Sequence, residues 1–248
     1  MGIDYNTYSL SRKEKLAVFA GLSLILACIG ILFYHTVITA ALSFALLAPA
    51  LRVTSRYLMK KRKKKLRSEF RDFLDLLSSS FATGRHMEEA MEEALPELRK
   101  IRGEDSLMAR EIEQILTAVR ESGGTIVSLL EDFGRRSGLE EAGDFVQVYA
   151  SIRETGGDLI CSMDRSCTML TEKMSIESDI EVIVSQKKME GGVIAMMPVI
   201  ILLFLRLMAP EYIAPLYEGI VGRVIMTLAL AGALIACVMI ERITEIEV

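Results

Sequence analysis

Between Leu16 and Leu51 the chain carries no Lys, Arg, Asp or Glu, a run of 36 residues, and between Val193 and Ile240 it carries only Arg206, Glu211, Glu218 and Arg223. A single helix through the first run would extend about 54 Å, against a hydrocarbon core of about 30 Å. Two spans fit instead. The pattern predicts them at about 16–33 and 37–58, with the turn at Tyr34-His35-Thr36 and with Pro49 removing one hydrogen bond from the second. Arg12, Lys13 and Lys15 could also open a signal peptide, but no small-x-small cleavage site follows, so retained helices are expected. The second run predicts spans at about 192–208 and 221–240. Pro210 and Pro215 lie in the connection, and Tyr212 and Tyr217 suit a membrane–water interface.

The stretch 66–190 has a different period. Leu66, Phe70, Phe73, Leu74, Leu77 and Phe81 recur at three- and four-residue intervals, as do Met108, Ile112, Ile115, Leu116 and Val119, and again Phe145, Val148, Tyr149 and Ile152. Each set makes one apolar stripe on a helix. Glycines punctuate the stripes at Gly84, at Gly123-Gly124 and at Gly156-Gly157. Each can end a helix in the left-handed conformation, and Thr125 and Asp158 are good N-caps for the helix that follows. Three helical hairpins result, and six helices are enough for an independent core. The spacing also admits a tandem helical array, but the intervening sequences share no other pattern. From Asp158 to Met189 no Gly or Pro interrupts, which predicts a final helix of about 48 Å. Gly191-Gly192 would be its joint with the third span.

The fold class expected is therefore all-α: a membrane protein with two transmembrane helical hairpins flanking a cytoplasmic six-helix bundle. The divisions are 1–58 (N-terminal segment and hairpin), 59–65 (a basic juxtamembrane collar), 66–190 (an acidic helical domain), 191–240 (the second hairpin) and 241–248 (a tail).

Charge sharpens this division. The formal net charge of the 248 residues is −4, but residues 66–190 alone sum to −11, and residues 52–65 hold eight basic side chains and no acid. Lys60, Lys61, Arg62, Lys63, Lys64 and Lys65 directly follow an apolar run, so anionic lipid headgroups are the expected partner. No aromatic residue interleaves them as a stacking platform, so no nucleic acid is expected. Basic residues gather before the first run, after the second predicted span and before the third. Both termini and the acidic domain are thus expected on the cytoplasmic side. Arg206, four residues before Pro210, is read as snorkelling to the outer headgroups.

Chemistry is sparse. There is no G-x-x-x-x-G-K-[ST] phosphate loop, no H-E-x-x-H and no G-x-S-x-G, and the Gly-Gly pairs lack the preceding strand of a dinucleotide site. His35 and His86 read as surface residues. Cys161 and Cys167, six apart on one predicted helix, face different ways and make no zinc site. No catalytic residue, cofactor or metal is expected, and the chain is read as a non-enzyme. Glu88, Glu89, Glu92 and Glu93, with Glu97, form an acidic helix face suited to docking on a positively charged surface.

Several segments resemble a known family. Arg153-Glu154-Thr155-Gly156-Gly157-Asp158-Leu159 is similar to the E-T/S-G-G-N/D-L turn of the type II secretion system F-domain family. Phe81-Ala82-Thr83-Gly84-Arg85-His86-Met87-Glu88-Glu89-Ala90-Met91 resembles its A-G-x-x-L-x-x-A-L segment. The stretch from Met197-Pro198 through Pro210-Glu211-Tyr212 and Gly222-Arg223 to Glu241-Arg242-Ile243-Thr244-Glu245-Ile246-Glu247-Val248 is the most specific match. Within the family the chain most resembles the platform proteins of tight-adherence (Tad) pilus systems, the B-type member of the pair. The resemblance covers about 66–248. Asp158 stands where Asn is commoner, and Arg206 interrupts a span that is usually apolar.

The resemblance implies a multi-pass platform subunit in a bacterial or archaeal plasma membrane, without activity of its own. Its implied partners are a secretion ATPase, a second platform subunit of the C type and pilin, in a homo- or hetero-oligomer. The turn Arg153–Leu159 would be a partner contact or a helix cap. A membrane-anchored signalling adaptor or receptor would share the same topology.

Overall fold

The computed structural model of the chain describes residues 5–6, 12–34, 42–155, 159–217 and 219–244. The regular elements among them are all helices: α1 (Arg12–Tyr34), α2 (Leu42–Ala82), α3 (Met87–Arg102), α4 (Leu107–Ser122), α5 (Ile126–Ser137), α6 (Glu140–Thr155), α7 (Leu159–Met208), α8 (Pro210–Tyr217) and α9 (Gly219–Thr244). The chain divides into two compact units. One comprises residues 1–9 and 55–176, the other 10–54 and 177–248.

The first unit is the helical bundle that the periodicity predicts. The α2 stripe Leu66, Phe70, Phe73, Leu74, Leu77 and Phe81 is buried throughout. Against it pack Met87, Met91 and Leu98 of α3, Met108 and Ile112 of α4, Leu130 and Phe133 of α5, Phe145 and Tyr149 of α6, and Met163 and Cys167 of α7. Phe70 is central. Its ring centre lies 6.0 Å from that of Phe133 and 6.1 Å from that of Phe145, the latter edge-on. Each such pair adds about 0.5–1.5 kcal/mol beyond the area it buries.

The turns follow local chemistry. Gly123 ends α4 at φ 62°, a left-handed conformation that side chains disfavour, and Thr125 then caps α5 by accepting the Ser128 N–H. Two further breaks, at Gly103 and Gly138, separate the helices within the bundle. Ser106 caps α4 by accepting the Ala109 N–H at 3.1 Å. Sequence reasoning did not place these breaks, because each rests on a single glycine among charged residues.

The basic collar is the middle of one 41-residue helix, α2. Lys and Arg are good helix formers, and nothing between 50 and 82 is Gly or Pro, so nothing stops propagation. Likewise α7 runs 50 residues through Gly191-Gly192, which is therefore no joint. Glycine costs about 1 kcal/mol per helix position, a small penalty inside so long a helix. The connection after Met208 contains α8, with Pro210 at its first position, where a missing N–H removes no helical bond.

Among the described residues one helix, Ile160–Met208, is long and apolar enough to cross a membrane, and Val224–Ala233 is a shorter apolar stretch. Side chains such as Ile194, Phe204 and Leu207 are largely exposed, Leu207 to 73%. The predicted turn residues His35 and Thr36 lie outside the described residues. Arg206 is half-buried in the last turn of α7, where the helix dipole favours a cation.

Candidate functional site

Three carboxylates are buried in the first unit: Glu69, Glu111 and Glu141. A buried carboxylate is tolerated only when paired and hydrogen-bonded, and each of these is. Lys65 Nζ lies 3.6 Å from Glu69 Oε1, within ion-pair range though beyond hydrogen-bonding distance. Arg67 Nε donates to Glu141 Oε1 at 2.6 Å. Arg136 grips Glu111 with both terminal nitrogens, at 3.2 Å to Oε1 and 2.8 Å to Oε2. Asp132 joins that pair by accepting Arg136 Nε at 2.6 Å and Arg135 Nη2 at 2.7 Å. These bonds, the one from Arg136 foremost, hold the Asp132 carboxyl below the usual range.

The start of the chain enters the same network. Tyr5 is 1% exposed, and its hydroxyl donates to Glu111 Oε1 at 2.9 Å. Its backbone N–H donates to the Arg136 carbonyl at 3.1 Å, and the Arg62 guanidinium sits 5.0 Å over its ring. Burial first, and then Glu111, push its phenol well above the usual range. Asn6 donates from Nδ2 to the carbonyls of Arg135 and Arg136 at 3.4 Å and accepts Lys63 Nζ at 2.6 Å. Sequence reasoning missed both residues. They precede every helix, so no periodicity marks them; the one legible signal was an aromatic residue in a short leader before an apolar run.

The collar is thus shared between tasks. Arg62 and Lys63 face Tyr5 and Asn6, and Lys65 reaches Glu69 and the Asp105 carbonyl, whereas Lys60 and Lys61 are exposed. The acidic face on α3 is compensated from within the chain. Glu92 pairs with Arg120, Glu93 with Arg85 at 3.2 Å and with the Ser80 hydroxyl, and Glu97 with Lys100. Glu89 accepts the His86 N–H at 3.4 Å, which makes it part of the helix start, and Glu88 is half-buried beside it. In the turn 153–159, Arg153 is exposed at the end of α6. Gly156, Gly157 and Asp158 lie outside the described residues. Glu154 and Thr155 end α6 and Leu159 begins α7.

A second polar seam joins α2 to α7. Ser78 donates to Asp164 and lies 3.4 Å from the Thr168 hydroxyl. Beside them Cys167 is fully buried. Its thiol is pushed up to about 12, chiefly by burial and further by Asp164 and Asp75. Among the described residues no group of three His, Cys, Asp or Glu side chains is placed to hold a metal. Several of the described polar contacts fasten one helix to another: Arg67 of α2 to Glu141 of α6, Arg136 of α5 to Glu111 of α4, and Ser78 of α2 to Asp164 of α7.

The family comparison rests on the same segments. The family model described as "Type II secretion system (T2SS), protein F" matches residues 73–206, from the α2 stripe through most of α7. No curated protein and no solved structure matches the chain. With more than half its length matched across the bundle and α7, the chain belongs to the type II secretion system protein F family.

Proposed function

We propose that this chain is an inner-membrane platform subunit of a tight-adherence or type IV-like pilus machine, or of a type II secretion assembly, which passes motion from a cytoplasmic secretion ATPase to pilin. The family is membrane-associated and occurs in platform proteins of type II secretion and type IV pilus machines. The Tad role, the ATPase, the second platform subunit and pilin are this proposal's additions.

The observation that carries the reading is α7. One helix begins among the core side chains Met163, Cys167 and Met174 and continues without interruption into the exposed apolar run Val193–Met208. At 1.5 Å per residue it is about 75 Å long. A helix anchored in a packed bundle at one end and in lipid at the other transmits displacement, where a loop would absorb it. The chain itself would carry out no chemistry, the nucleotide turnover being the partner's.

Two transmembrane hairpins remain part of this proposal. Tyr5 belongs to the same compact unit as 55–176, which supports an even number of crossings between Arg12 and Thr54. The bundle would face the cytoplasm, a basic partner competing with Arg120, Arg85 and Lys100 for the α3 acids, Arg153 exposed, and Lys60 and Lys61 set for anionic headgroups.

Pull-down of the full chain in detergent with a secretion ATPase of the same genome tests the reading. Retention of the ATPase, reduced by charge reversal at Glu88 and Glu92, is expected. Capture of a kinase, with no ATPase retained, would favour the signalling adaptor instead.

A further inference from the structure

We propose that the bundle carries a socket for a tyrosine–asparagine segment, and that residues 5–6 of this chain fill it as a built-in strap. The residues ahead of a first helix are ordinarily loose unless something ties them down. Here the polar groups of the dipeptide meet complementary partners. The phenol donates to a buried carboxylate, and the backbone N–H of Tyr5 donates to the Arg136 carbonyl. A cation covers the aromatic face. The carboxamide of Asn6 is read at both ends: Nδ2 approaches two carbonyls in the last turn of α5, and Oδ1 accepts Lys63 Nζ. Carbonyls in a last helical turn lack intrahelical partners, so Asn6 serves α5 as a C-cap supplied from outside the helix.

The socket is shaped as well as charged. Gly138 ends α5 at φ 61°, and any side chain there would collide with Asn6 Oδ1 and Lys63 Nζ. Glycine at this position therefore meets two demands, the left-handed turn and the room for Asn6. The strap joins three elements: α2 through Arg62 and Lys63, α4 through Glu111, and α5 through Arg135 and Arg136. It also turns two collar cations toward protein. The socket stands whether or not the proposed platform role holds.

Hydrogen–deuterium exchange on the full chain in detergent tests this directly. In the unaltered protein the Tyr5 amide, resolved by overlapping peptides, is expected to exchange at least tenfold more slowly than in an unstructured chain. Tyr5→Ala should abolish that protection and speed exchange in 107–116 and 131–139 while α3 stays protected. Tyr5→Phe, which keeps the ring and leaves Arg136 on Glu111, should retain most of it. Exchange of the Tyr5 amide at the unstructured rate, with α4 and α5 protected, would overturn the proposal. So would a Tyr5→Ala chain whose α4 and α5 exchange as before. If Tyr5→Ala does not fold, Asn6→Ala decides. Faster exchange confined to the Tyr5 amide and 131–139 supports the strap, and no change there rejects it.

Discussion

The buried carboxylate of Glu69 on α2 accepts the backbone N–H of Met108 on α4 at 2.9 Å, across 39 residues of sequence. The same oxygen accepts the Ser106 hydroxyl at 3.0 Å, and Ser106 in turn caps α4 through the Ala109 N–H. A helix start inside the bundle, where its orphan N–H groups are shielded from water, is thus satisfied by an acid from a different helix.

Removing that acid should therefore be expensive. Glu69→Ala leaves the Met108 N–H and the Ser106 hydroxyl without their acceptor in a dry site, and a loss of about 2–4 kcal/mol is expected. Glu69→Gln keeps an acceptor oxygen and should lose less. Urea unfolding of the full chain in detergent, followed by far-ultraviolet circular dichroism, reads both. Equal stability of the alanine variant and the parent would show that the cap contributes nothing.

Acid should weaken the ion pairs of α5 in a defined direction. Asp132 is held below the ordinary carboxylate range by Arg136 and Arg135. A depressed folded-state value means that its contribution is fully present above the unfolded value of about 3.9 and is lost as the pH falls through the folded one. Stability measured from pH 7 to pH 2.5 should fall less steeply below about pH 4 in Asp132→Asn than in the parent. Superimposable profiles would contradict the role given to these bonds.

The two cysteines of α7 outside its apolar run should react differently. The Cys167 thiol is fully buried and pushed up to about 12, so almost none is thiolate near neutrality. Cys161 is exposed. Maleimide at pH 7.5 is expected to modify Cys161 at least a hundredfold faster than Cys167, with Cys167 labelled only after denaturant is added. Comparable rates, read by peptide mass mapping, would mean that the α2–α7 seam opens readily.

Continuity of α7 is the mechanical element of the proposed function. Inserting four residues of Gly-Ser sequence after Gly192 should leave membrane insertion and ATPase retention intact while fibre assembly falls at least tenfold. A rigid four-residue helical insertion of Ala-rich sequence should do less harm, since it rotates the helix without softening it. Full assembly with the Gly-Ser insertion would remove the helix from the mechanism.

What the sequence by itself determined is local and periodic. The apolar stripes of α2, α4 and α6 repeat at the helical interval, and side chains such as Phe70, Ile112 and Phe145 are buried where the period puts them. The left-handed glycines at 84 and 123 and the Thr125 cap were readable for the same reason: each is a contact between near neighbours. Tertiary structure decided which charges are structural. The 26 acids of residues 66–190 look alike along the chain, yet Glu69, Glu111 and Glu141 are buried while Glu92, Glu93 and Glu97 of α3 are tied to surface cations. The seat of Tyr5, bonded to a residue 106 positions away, belongs to the same class of fact. Periodicity records which face of a helix avoids water. It carries no record of which distant partner offsets the desolvation of a buried charge, because that partner is chosen only when the helices meet.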